Sequence, residues 1–138
     1  MFRRFTLLFV VAVSFFAARP ALPQEHEYVR RLHAPATVKG FIGGESHDSY
    51  VIEARAGQVM TVQISWRPVH DHDEDTGDNH AEFWVGTAPD FDGDGAVKFG
   101  QESDNGRRWT GKIPKTGKYY IYVMAHPVAD YILKVIVK

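Results

Sequence analysis

Asp90-Phe91-Asp92-Gly93-Asp94-Gly95 sets three carboxylates one residue apart and closes on a glycine. In a calcium loop of EF-hand type, oxygens at positions one, three and five converge on the ion, and glycine at six allows the sharp turn. Position twelve is here Gln101, with Glu102 one residue late, and position nine is Lys98. A neutral amide in place of the bidentate carboxylate weakens such a site, so the expectation is loosely held Ca2+ or a turn that binds nothing. A second group is His70-Asp71-His72-Asp73-Glu74-Asp75, with His80 beyond it. His70 and His72 would point the same way on an extended chain, which suits zinc, copper or nickel, although the same composition also describes a solvated loop. His33, His47 and His126 stand alone in the sequence and read as surface or pocket residues.

The third group is the turn Ser103-Asp104-Asn105-Gly106-Arg107-Arg108. Ser103, Asn105, Arg107 and Arg108 supply hydrogen-bond donors, and guanidinium pairs with carboxylate as a bidentate fork. Such a tip fits a protein partner's cleft lined with carboxylates. The plainer reading is that the two arginines offset the acidic loops. No serine lies in a nucleophile elbow, no cysteine occurs and no HExxH motif is present. A hydrolase is therefore the least expected class, and the function is sought in binding.

Strands must carry these groups. Met60, Val62 and Ile64 alternate with Thr61, Gln63 and Ser65; Tyr119, Ile121 and Val123 alternate with Tyr120, Tyr122 and Met124; Tyr131, Leu133, Val135 and Val137 repeat the period. That is the spacing of a sheet with one buried face. Strands are expected over 36–42, 49–55, 58–66, 81–86, 97–99, 107–112, 119–124 and 130–137. Eight short strands with glycine turns between them predict an all-β, single-domain antiparallel β-sandwich, jelly-roll-like. Tyr50, Phe83, Tyr119, Ile121, Tyr131 and Leu133 are its expected core. Trp66, Trp84, Trp109, Tyr120 and Tyr122 are assigned to the opposite faces, where an exposed aromatic row would stack on sugars.

Arg3 and Arg4 precede an uncharged apolar run from Phe5 to Ala18, which Arg19, Pro20 and Pro23 close. The run is shorter than the ~20 residues that span a bilayer, so 1–23 reads as a secretory signal peptide. Residues 24–35 follow as a polar lead-in and 36–138 as the sandwich, with an acidic loop over 67–80 and an Asp/Gly loop over 90–95. The compartment is periplasmic or secreted, with no disulfide because there is no cysteine. From Asp71 to Asp94 there are nine acidic residues and no Lys or Arg. A negative pole of that kind suits a cation or a basic partner, or is simply a solvated loop. Neither nucleic acid nor, after signal cleavage, a membrane is an expected partner.

Ala36-Thr37-Val38-Lys39-Gly40, the run YVIEARAGQ from Tyr50 to Gln58, the run GKIPKTGKY from Gly111 to Tyr119, and Ala129-Asp130-Tyr131-Ile132-Leu133 resemble the bacterial pre-peptidase C-terminal domain and its free-standing periplasmic relatives, the inhibitors of g-type lysozyme. The resemblance covers most of the chain after residue 35 outside 67–108. It implies a small β-sandwich that is not an enzyme, whose partner is a lysozyme or another cell-wall hydrolase and which acts by occlusion. The donors of the 103–108 turn would then enter the acidic cleft of the lysozyme. The alternatives are a calcium- or transition-metal-binding accessory domain and a glycan- or peptidoglycan-binding module.

Overall fold

Because every second side chain of a strand faces the same way, the alternating runs become two sheets packed apolar face to apolar face. The computed structural model describes residues 28–44, 46–67, 79–89 and 95–138. Among them are nine strands: β1 (Val29–Leu32), β2 (Ala36–Gly43), β3 (His47–Ala54), β4 (Val59–Arg67), β5 (His80–Gly86), β6 (Gln101–Ser103), β7 (Arg108–Lys112), β8 (Gly117–His126) and β9 (Val128–Val137). One sheet has the order β1-β3-β8-β5 and the other β2-β9-β4-β7-β6. All pairings are antiparallel except β1 with β3.

Two expectations are corrected at this level. The segment read as a lead-in contributes β1, whose Leu32 is buried in the core. Its short sequence, VRRL, has too few apolar positions to show a period. The strand expected at 97–99 is not one: Val97 donates its amide to Val85 O, Ala96 makes a single bridge to Gly86, and the strand forms later, over Gln101–Ser103. Val97 and Phe99 pack partly buried against the core from a loop.

Met60, Val62 and Ile64 from β4 meet Leu133 and Val135 from β9 across the register, and all five are essentially inaccessible. Opposite them, Tyr50 and Ile52 of β3, Ile121 and Val123 of β8, and Phe83 and Val85 of β5 form the second inner face. Each fully buried aliphatic or aromatic side chain contributes about 1.5–3 kcal/mol relative to exposure.

One polar chain runs through this core. The Tyr131 hydroxyl, from the five-stranded sheet, donates to Asp48 Oδ2 on β3, which leaves the Tyr50 hydroxyl to donate to Tyr131. A Cβ on Gly40, the register partner of Tyr131 on β2, would fall inside the volume of the Tyr131 ring, so glycine is what allows the ring to lie there. The Arg30 guanidinium lies over the Tyr50 ring, 5.4 Å from its centroid. Burial, then the hydrogen bond to Asp48, pushes the Tyr131 phenol far above its usual range, and burial also raises that of Tyr50.

Folded-state values above the unfolded one fix the sign of the pH effect. The neutral phenols stabilise the fold fully below about pH 10, where the unfolded chain keeps its tyrosine protons, and that stability is lost as pH rises beyond. Tyr131→Phe is expected to cost about 1–3 kcal/mol at neutral pH by leaving the Tyr50 hydroxyl and Asp48 without their shared partner. It should also make the alkaline loss shallower. Urea unfolding at a series of pH values, wild type against variant, measures both, and equal alkaline slopes would refute the assignment.

Candidate functional site

The β6–β7 hairpin presents the four donors expected at a partner surface. Ser103 and Arg108 are register partners at its neck, and the Arg107 amide donates to Asp104 O at 3.0 Å to close the turn. Asp104 and Asn105 hold φ of 55° and 51°, the left-handed region that Asp and Asn tolerate better than other non-glycine residues. Every residue from Gln101 to Arg108 is exposed. Below the tip the hairpin is clamped. Trp109 is 5% exposed, and its indole lies so close over Gly100 and Gly111 that a Cβ on either would approach it to 2.5 Å. Phe99 meets Trp109 edge-on at 5.8 Å and Tyr119 edge-on at 6.0 Å.

Arg107 does not hang free in solvent. Its guanidinium stacks over the Trp66 ring, 4.1 Å from the centroid, while its carbonyl accepts the Ile64 amide at 2.8 Å. A guanidinium held by its face keeps its N–H edges for a partner. Trp66 continues the contact to the other sheet, where its ring is 6.5 Å from that of His80. His80 stacks on His126 at 5.0 Å and 25°, the two being register partners on β5 and β8. Glu82 completes the group: its Oε1 lies 2.7 Å from His126 Nε2 and 3.6 Å from His80 Nε2. One end of the sandwich therefore carries Arg107, Trp66, His80, Glu82 and His126 in a continuous run. Beside Trp66 opens a cleft of about 470 Å³ whose charged walls are Lys39, Arg67 and Asp130. The larger cleft, about 670 Å³, lies at the opposite end of the strands among Arg31, Glu53, Arg55 and Lys118. Its Arg31–Glu53 ion pair is exposed on both sides and contributes little.

His126 is thus not an isolated surface residue, and His47 has the Tyr122 ring 6.1 Å away. Among the described residues the five aromatics do not come together as one exposed row. Trp109 and Tyr122 are buried, Trp66 lies beneath Arg107, and Trp66 and Trp109 belong to the other sheet from Trp84, Tyr120 and Tyr122. The outer-face position of Tyr122 is covered by the loop whose Ala88 carbonyl accepts its hydroxyl at 3.2 Å. Asp90, Asp92 and Asp94, like His70 and His72, lie outside the described residues. Of the remaining calcium candidates, Gln101 and Glu102 are neighbours on β6 and so point to opposite faces, which prevents both from converging on one ion. The His80-x-Glu82 alternation is visible in the sequence, but His126 joins it only through the β5–β8 register.

No protein-family model matches the chain, and neither does any curated protein. Solved structures do. The periplasmic inhibitor of g-type lysozyme from Aeromonas hydrophila is 25% identical, with a TM-score of 0.57 over 80% of this chain and 96% of that one. The pre-peptidase C-terminal domain of a Bacillus anthracis collagenase is 21% identical, with a TM-score of 0.55 over 81% and 98%. The g-type lysozyme inhibitor of Salmonella Typhimurium is 19% identical, with a TM-score of 0.50 over 80% and 98%. The chain has the fold shared by these inhibitors and the pre-peptidase C-terminal domain.

On this sandwich the Arg107 side chain is braced by its cation–π contact with Trp66. Arg107→Ala is expected to change the Trp66 emission and to destabilise the fold by only about 0.5–1 kcal/mol, the size of such a contact at an exposed site. An emission difference between wild type and Arg107→Ala that is absent in a Trp66→Phe background measures the first, and denaturant unfolding the second. Unchanged emission would mean that the stacking is not maintained in solution.

Proposed function

We propose that this chain is a periplasmic or secreted, non-catalytic protein that inhibits a lysozyme, g-type before others, by seating the β6–β7 hairpin in the enzyme's acidic cleft. The observation that carries the reading is the likeness to the Aeromonas hydrophila inhibitor at 25% identity, spanning 96% of that protein. The hairpin agrees with it chemically. Glycoside hydrolysis relies on a pair of carboxyl groups flanking the scissile bond. A tip offering Ser103, Asn105, Arg107 and Arg108 can pair with those carboxylates and displace substrate. Rigidity favours this mode: the Trp109 clamp and the Arg107–Trp66 stack order the tip before it meets a partner, so less side-chain freedom is lost on binding.

Lysis of a peptidoglycan suspension by g-, c- and i-type lysozymes, with and without the purified protein, tests the proposal. The g-type rate should fall, with the mass of both proteins unchanged. Arg107→Ala with Arg108→Ala should weaken the complex by about 2–5 kcal/mol, the range for truncating one side of a buried interfacial charge pair. Unaltered lysis by all three enzymes at large inhibitor excess ends the proposal.

A further inference from the structure

We propose that His80, Glu82 and His126 form a binding site for a divalent transition ion of the zinc, copper or nickel class. The β-ladder sets the triangle. His80 and His126 are direct cross-strand partners, and Glu82 follows His80 by two residues on the same outer face of β5. Three potential ligand atoms, one from each residue, lie within 4.8 Å of one another. Around a tetrahedral ion with bonds near 2.0–2.1 Å, ligand atoms stand roughly 3.3 Å apart. The observed 2.7 Å and 3.6 Å separations from Glu82 Oε1 bracket that value, so small side-chain rotations admit the ion without moving the backbone.

Two imidazoles converge by Nε2 on the same Glu82 oxygen with their rings stacked at 25°. Neutral imidazole is the form that ligates metal. Strand β5 carries no Lys or Arg to oppose a cation. Both histidine side chains are 47% exposed and Glu82 is 43% exposed, which leaves solvent or a partner's side chain to take the fourth position. Two imidazoles and one carboxylate with an open position suit Zn2+, Cu2+ or Ni2+ rather than Ca2+.

The test uses the untagged protein and Zn2+ alone. In the unmodified chain, the imidazole nitrogen resonances of His80 and His126 should shift together as one equivalent is added, while those of His33 at the other end stay in place. By calorimetry, His126→Ala and Glu82→Gln should each weaken that equivalent more than about tenfold, whereas His70→Ala with His72→Ala should retain it. The proposal is overturned if the His80 and His126 resonances of the wild type ignore Zn2+, or if a folded His126→Ala binds it as tightly as the wild type. Lysozyme inhibition is not a readout in any arm, so the outcome stands apart from the functional proposal.

Discussion

The hydrogen-bond chain from Tyr50 through Tyr131 to Asp48 couples the two sheets at the point on which the remaining geometry depends. Apolar packing holds sheets together but resists sliding weakly, because one aliphatic contact can be exchanged for another of similar energy. A buried hydroxyl chain cannot slide without leaving donors and acceptors unmet. Tyr131 sits on β9, the strand that pairs with both β2 and β4, so fixing it against β3 fixes the middle of the five-stranded sheet. Trp66 is the register partner of Tyr131 on β4, and the position of the Arg107 stack is inherited from it.

From that anchor the functional end of the sandwich is built by two devices of different character. The hairpin is held from below by aromatic surface pressed against glycine backbone, which stiffens it without spending any of its polar groups. The histidine pair on the facing sheet is set by strand register and held by ring stacking and by Glu82. Trp66 separates and touches both: an indole under a guanidinium on one side and near an imidazole on the other.

The sequence carried the sandwich because its long strands have a buried face, and a buried face imposes a period of two over enough residues to be read. β4, β8 and β9 are of this kind, and the core residues expected on them are buried. What escaped were elements fixed by partners rather than by their own pattern. β1 is four residues with two arginines, and β6 is three exposed residues; each is a strand because a neighbour offers an edge. Trp109 takes the inner face, as the register partner of core Val62, contrary to the expectation, whereas Tyr122 keeps the outer face and alternation does not report that a loop covers it. The same limit hid His126, whose partners are distant in sequence and meet it only through the β5–β8 ladder. The exposed turn over 103–108 was legible because a turn is a local object.

The five-stranded sheet joins β2, near the start of the described chain, to β9 at its end, and β9 also supplies the neighbour on which β4 depends. No pair of strands earlier in the chain can complete that sheet, so its assembly waits for the last strand to arrive. Folds dominated by such distant pairings cross their barrier slowly, since the entropy of closing a long loop is lost before the contacts repay it. A polypeptide emerging N-terminus first from a narrow passage would consequently leave this sheet incomplete until β9 was clear of it.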